Sequence, residues 1–170
     1  IRICLVGSEM CIRDRGESAE ELALISAGLR ETHDGEAFAE FASLQVAAAA
    51  VEAGDLVLAR AELESVMATV ELDSTLGQLV QLRLARVMAA SGDETAAVAI
   101  LEQGSSSFPA SYAQALGDIH LAAGRESEAL VAYQSAQTES LALGGQLGLV
   151  DLKVSGLSLR DAEDSIEDSQ

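Results

Sequence analysis

Residues 115–136, ALGDIHLAAGRESEALVAYQSA, decide the fold of this chain. The stretch is typical of a helix, a turn and a second helix, because Gly124 separates two segments rich in helix-forming residues. Gly117, Ala129 and Ala136 are small where a helix that maximises its buried area would carry leucine. Small residues at these positions predict that the helices pack closely against one another.

The same spacing of small and large residues occurs three times along the chain. The order is a small residue, a turn glycine, an alanine, a large apolar residue and a last residue that is mostly small. The copies are Ala47, Gly54, Ala59, Leu63 and Val66; Ala85, Gly92, Ala97, Leu101 and Gly104; and Gly117, Gly124, Ala129, Tyr133 and Ala136. Equivalent turn glycines lie 38 and 32 residues apart. These distances straddle the tetratricopeptide period of about 34 residues.

The repeat predicts an all-α, tetratricopeptide-type solenoid of helical hairpins, with about three repeats, a leading half-repeat and a short C-terminal capping helix. In each hairpin the glycine is expected to adopt a left-handed conformation that ends the first helix. Asp55 and Asp93 then suit the start of the second helix. Helices are predicted over Glu17–Arg30, Ala37–Ala53, Leu56–Val70, Leu76–Ala90, Glu94–Gln103, Ala110–Ala123, Glu126–Leu141 and residues 149–157.

The two ends of the chain differ in composition from its centre. Residues 1–15 resemble a translated sequencing adapter, so we treat them as a non-native scar and exclude them from the fold. Cys4 and Cys11 lie in this segment, at a spacing typical of neither a zinc nor a redox site. We expect a tetratricopeptide-like domain over 16–157 and a disordered acidic tail over 158–170.

Composition and charge exclude several classes of partner. The chain has 170 residues, of which 49% are hydrophobic, and a formal net charge of −18. This charge argues against binding to nucleic acid or to anionic lipid, both of which need clustered lysine and arginine. No apolar run reaches the roughly 18 residues of a membrane span, so the sequence as given predicts none.

No arrangement of residues predicts catalysis, a cofactor or a metal ion. His120 is expected to be a satisfied core or groove residue, and His33 to lie in a polar surface turn. Ser105–Ser107 is more typical of a turn than of a nucleophile. We therefore expect no enzyme activity, no cofactor and no metal site.

In a stack of helical hairpins the first helices line a concave face, which can hold a peptide or a partner helix. By spacing, the predicted partner-binding groove has nine residues: Phe41, Leu44, Val51, Glu52, Leu82, Arg86, Gln114, Asp118 and Leu121. The alternative is that many of these side chains only pack against neighbouring helices. Arg86 is expected either to pair with Asp118 or to orient an acidic partner.

Several strings resemble the YfgM family, the ancillary subunits of the bacterial SecYEG translocon. They are VEAGDLVLARAELESV, LVQLRLARVMAASGDETAAVAILE, YAQALGDIHLAAGRESEALVAYQSA and LGLVDLKVSGL, within Glu36–Leu157. The most specific pieces are RLAR, Arg83–Arg86, and ALGDI, Ala115–Ile119.

The resemblance implies a tetratricopeptide domain on the periplasmic face of the inner membrane, anchored by one N-terminal helix that this sequence lacks. It implies protein partners, namely the SecYEG translocon and a periplasmic chaperone of the PpiD type. The alternative is a soluble tetratricopeptide adaptor in another compartment.

Overall fold

The computed structural model describes residues 19–32, 37–145 and 148–167. These residues form helices joined by turns, without a β-strand among them, which confirms the predicted all-α fold. The eight helices are α1 Ala19–Thr32, α2 Ala37–Ala53, α3 Leu56–Met67, α4 Thr75–Ala90, α5 Glu94–Leu101, α6 Pro109–Ala122, α7 Glu126–Ala142 and α8 Gly148–Glu167. No described helix combines the length and hydropathy needed to cross a bilayer.

The chain divides into two compact units, Ile1–Thr69 and Val70–Gln170, whereas the sequence treats 16–157 as one domain. Within unit 1, α1 packs on α2, and α2 pairs with α3 as the first hairpin. Within unit 2, α4 and α5 form the second hairpin, and α6 and α7 form the third. The last helix, α8, packs on α7.

The turn inside each hairpin has the same backbone geometry. Gly54, Gly92 and Gly124 have φ angles of 79°, 91° and 73°, the left-handed region that side chains disfavour. In each turn, the N–H of the residue after the glycine donates to the carbonyl four residues before the glycine, over 2.8 to 2.9 Å. This bond satisfies a carbonyl that the end of the first helix leaves free, so the predicted role of the glycine is confirmed.

The repeated alanines occupy matching places in the three hairpins. Ala59, Ala97 and Ala129 are each 0% exposed, in the first turns of α3, α5 and α7. Each donates its N–H to the carbonyl of the residue that follows the turn glycine, over 3.0 to 3.1 Å. The large residues of the pattern, Leu63, Leu101 and Tyr133, are buried one turn later. The spacing in the sequence therefore corresponds to one packing motif made three times.

Gly117 is small because of the ring opposite it. A Cβ atom at this position would lie 2.6 Å from two carbons of the Tyr133 ring. The second hairpin has Ala85 and Leu101 at the equivalent positions, both buried. The third hairpin therefore exchanges an alanine and a leucine for a glycine and a tyrosine, which keeps the helices close around a larger side chain.

Helix starts follow the predicted chemistry in most cases. Asp55 accepts a hydrogen bond from the N–H of Leu58 at 3.0 Å and so caps α3. Asp93 occupies the equivalent position before α5 without a capping bond from its side chain. Pro109 is the first residue of α6, where its missing N–H leaves no helical hydrogen bond unmade.

The C-terminal helix is the main departure from the predicted boundaries. A short closing helix over 149–157 was expected, but α8 runs from Gly148 to Glu167. The predicted disordered tail over 158–170 thus begins inside a helix, and its backbone to residue 167 is helical. The segment 1–15 that was predicted to be a scar, with Cys4 and Cys11, lies outside the described residues.

Candidate protein-binding surface

An exposed apolar surface lies on unit 1, where α1 and α2 meet. Phe38 and Phe41 are three residues apart on α2, and they are 74% and 56% exposed. With three further residues they line an open cavity of about 380 Å³, called here the phenylalanine surface: Leu29, Phe38, Phe41, Ala42 and Gln45. Exposed aromatic rings of this kind are common anchors in protein interfaces.

The other predicted groove residues of unit 1 differ in their exposure to solvent. Val51 and Glu52 are exposed near the end of the helix. Leu44 is buried in the core, so its prediction as a lining residue is wrong. The helical spacing does not separate Leu44 from Phe41, because both are apolar and only the packing of neighbouring helices buries one of them.

In unit 2 the predicted groove residues of α4 also divide. Arg86 is exposed, and among the described residues it forms no ion pair. Leu82 is buried, so it is part of the core and cannot line a groove for a partner. The predicted alternative for such residues, packing against neighbouring helices, is the one that the structure supports for Leu82.

Asp118 pairs with Lys153 of α8, and not with Arg86 as one alternative held. The Lys153 Nζ lies 2.5 Å from Asp118 Oδ1, which also accepts a hydrogen bond from the Tyr133 hydroxyl at 2.7 Å. The same Nζ donates to the Tyr133 oxygen at 3.2 Å and lies 5.0 Å from the centre of its ring. These contacts tie α6, α7 and α8 together, and we call the three residues the Lys153 cluster.

The remaining predicted residues of the third hairpin lie beside this cluster. Leu121 is half-buried and packs against side chains of α7 and α8, and Gln114 is half-buried on α6. The helix that follows the hairpin thus engages Asp118 and partly covers Leu121. Of the predicted groove residues, only Phe41 lies on the phenylalanine surface, which is exposed and apolar.

The Lys153 cluster shifts the ionisation of its members. Burial, followed by the hydrogen bond to the Asp118 carboxylate, raises the pKa of Tyr133 to about 12. The hydrogen bond to Asp118 likewise raises the pKa of Lys153. Both shifts favour the protonated forms, which are the forms that make the observed hydrogen bonds.

Sequence reasoning missed a charged network within unit 1. Arg30 of α1 forms two hydrogen bonds with the Glu62 carboxylate of α3, at 2.9 and 3.2 Å. It also donates to Ser43 and Ser65, and Ser43 shares a buried hydrogen bond with Ser26. We call this the Arg30 network. No local sequence pattern predicts this network, because its ion pair joins residues 32 positions apart.

Phe38 was also missed, although a signal was present. It precedes the predicted Phe41 by three residues, so both must share one face of a helix.

The prediction of Ser105–Ser107 as a turn is confirmed. Ser105 donates to Gln78 Oε1 at 2.7 Å and accepts from the N–H of Phe108 at 2.8 Å, which fixes the turn before α6.

His120 is half-buried and accepts a hydrogen bond from Arg125 Nε at 3.1 Å. It therefore has the structural partner that was expected of it.

The described residues contain no group of three histidine, cysteine, aspartate or glutamate side chains placed to hold a metal ion. His33 lies outside the described residues.

Comparison with known proteins agrees with the hairpin geometry. Residues 9–158 match the family described as tetratricopeptide repeat-like domain, and the match begins within the segment set aside as a scar. No curated protein and no solved structure matches the chain significantly. The match spans most of the sequence, and the turns and alanines recur as the repeat requires. The chain therefore belongs to the tetratricopeptide repeat-like domain family.

Proposed function

We propose that this chain is the periplasmic scaffold domain of an ancillary SecYEG translocon subunit of the YfgM type, held at the bacterial inner membrane. Its partners are then the translocon and a chaperone of the PpiD type, and its role is non-catalytic. The resemblance of four strings within Glu36–Leu157 supports the translocon part. A protein-interaction scaffold is the coarser function that family membership supports on its own.

The phenylalanine surface is the observation that supports binding of a protein partner. Phe38 and Phe41 expose large rings beside Leu29 in an open cavity, although the chain has only three phenylalanines. An exposed aromatic ring gains free energy when a partner covers it, and such rings often dominate interface energies. We therefore place the binding of the translocon or the chaperone at this surface, with Arg86 as a second candidate contact.

Site-specific photocrosslinking in inner-membrane vesicles that contain SecYEG and PpiD tests this proposal. A photoreactive amino acid at Phe41 or Arg86 is expected to give adducts with the translocon or the chaperone. Matched probes at Val57 and Val131, which are exposed on the second helices α3 and α7, should give few. The proposal is wrong if only the control positions crosslink, or if none of the four does.

A paired substitution separates the surface from the assignment of the partner. Phe38→Ser with Phe41→Ser removes exposed rings and should leave the helical content unchanged by circular dichroism. We expect the adducts from a probe at Gln45, which lines the same surface, to weaken in this variant. Adducts with soluble proteins in place of the translocon would favour the alternative of an adaptor in another compartment.

A further inference from the structure

The face of α8 that turns away from α7 carries apolar side chains although it is exposed. Leu149, Leu152 and Leu159 are 63 to 71% exposed and lie at i, i+3 and i+10. This spacing places them on one face, which we call the leucine stripe. The opposite face packs on α7 through Val150 and Leu157, which are buried.

A continuous row of exposed apolar side chains is typical of a surface that another helix covers. The leucine stripe is long enough to contact about two turns or more of such a helix. Gly156 lies within the stripe, and a methyl group added there would meet no atom within 4 Å. A glycine inside an exposed helix weakens that helix, but it lets another helix approach closely.

The charges on α8 select the kind of partner. Its only two cations are engaged by preceding helices, Lys153 with Asp118 and Arg160 with Glu126 at 2.9 Å. The helix sequence also carries five acidic residues: Asp151, Asp161, Glu163, Asp164 and Glu167. A second copy would carry the same net charge of −18, and the repulsion between two such chains disfavours their association.

We infer that the leucine stripe binds an amphipathic helix of another protein, with leucine-like side chains on one face and lysine or arginine beside them. In each of the three hairpins a second helix packs on the first, and a partner helix on the leucine stripe would repeat that arrangement. This inference uses a surface distinct from the phenylalanine surface and does not rest on the translocon assignment.

Two designed peptides of matched length test the inference by fluorescence anisotropy at physiological salt. One contains only leucine and lysine and the other only leucine and glutamate, each with leucines at helical spacing. We expect the leucine–lysine peptide to bind the intact chain about tenfold more tightly than the leucine–glutamate peptide. Equal binding of both, or tighter binding of the acidic peptide, would overturn the charge selection.

Variants then separate the stripe from general attraction to an acidic protein. The triple change Leu149→Gln, Leu152→Gln and Leu159→Gln should weaken binding of the leucine–lysine peptide about tenfold or more. Val57→Gln with Val131→Gln, an exposed control pair, should not. Equal weakening in both variants, or in neither, contradicts the inference.

Two further measurements guard against loss of folding and against self-association. If the triple variant loses helix by circular dichroism, Leu152→Lys replaces it, since one repelling charge in the stripe should also weaken binding of the basic peptide. Unchanged binding by that variant counts against the inference. Sedimentation that shows a dimer of the intact chain, lost in the triple variant, would assign the stripe to a second copy and overturn the proposal.

Discussion

Two ion pairs each attach a flanking helix to a hairpin: one in the Arg30 network of unit 1 and one in the Lys153 cluster of unit 2. Both join a cation to a carboxylate, but the carboxylates differ in how deeply they are buried. In the first, the side chain of Glu62 is 8% exposed and that of Arg30 is 32% exposed. In the second, Asp118 is 41% exposed and Lys153 is 28% exposed. Each cation comes from the flanking helix, α1 or α8, and each meets a carboxylate on the neighbouring hairpin.

The difference in burial predicts different consequences when the cation is lost. A buried carboxylate that loses its partner cannot replace the missing interaction with water, so the loss strongly lowers the free energy of unfolding. A half-exposed carboxylate is hydrated in part, and salt screens its interaction with the cation. The two attachments therefore provide a comparison within one molecule of how burial sets the contribution of an ion pair.

The largest expected effect is that of Arg30→Met. The change leaves the nearly buried Glu62 without its two hydrogen bonds from Arg30, and we expect it to lower the unfolding free energy by about 3 kcal/mol. Urea unfolding measures the loss. Hydrogen exchange should place it in α1 to α3.

The double change Arg30→Met and Glu62→Leu is the matched control for that variant. It removes both charges, so it should recover most of the lost stability, because no carboxylate then remains buried and unpaired. A double variant as unstable as the single one would mean that Arg30 contributes through packing and the serine contacts, and not through Glu62.

Gly117→Ala should disturb the Lys153 cluster while leaving all its charges in place. The added methyl group would overlap the ring of Tyr133, and we expect a loss of about 2 kcal/mol in unfolding free energy. Thermal unfolding followed by circular dichroism checks this value.

A second substitution restores the pairing found in the second hairpin. Adding Tyr133→Leu to Gly117→Ala recreates the combination of Ala85 and Leu101, so the overlap disappears although the hydroxyl bond to Asp118 is lost. We expect this double variant to be more stable than Gly117→Ala alone. A further loss of stability would show that the cluster, and not ring size, requires the glycine.

Alkaline pH should weaken unit 2 through the Lys153 cluster. Because the pKa of Tyr133 is raised from 10 to about 12, its contribution is intact below pH 10 and is lost as the pH rises toward 12. At pH 11 the loss from Tyr133 is about 1 kcal/mol. The raised pKa of Lys153 acts in the same direction.

Comparison of urea unfolding at pH 9 and pH 11 measures this dependence. Tyr133→Phe should reduce the difference between the two pH values, since it removes the titrating hydroxyl. The chain has two tyrosines, and burial also raises the pKa of Tyr112, so both measurements are best made in a Tyr112→Phe background. An unchanged pH dependence after Tyr133→Phe would exclude Tyr133 as its source.

Lys153→Met should have the smallest effect. Its ion pair with Asp118 is partly exposed, so after allowance for solvent screening we expect a loss below about 1 kcal/mol. The loss should shrink further at high salt, unlike that of Arg30→Met. A loss as large as that of Arg30→Met would contradict the expectation that a more buried carboxylate loses more unfolding free energy when its cation is removed.

Local spacing made the helical hairpins predictable. A glycine that ends one helix and an alanine in the first turn of the next act within a few residues of each other, so Gly54 with Ala59 can be recognised without tertiary contacts. The boundaries of α2 were predicted at the residues observed, Ala37–Ala53. The length of α8 was not, because acidic composition suggested disorder for residues that continue a helix.

The sequence by itself determined the order of helices, the left-handed turn glycines and the small residues where helices meet, since these depend on neighbours along the chain. Only the tertiary structure decided that Leu44 and Leu82 are buried while Phe38 and Phe41 are exposed. It also paired Asp118 with Lys153 and Arg30 with Glu62, across 35 and 32 positions. These pairings and burials depend on which helices lie side by side. Helical periodicity predicts the face of the helix on which a residue lies, but not which other helix packs against that face.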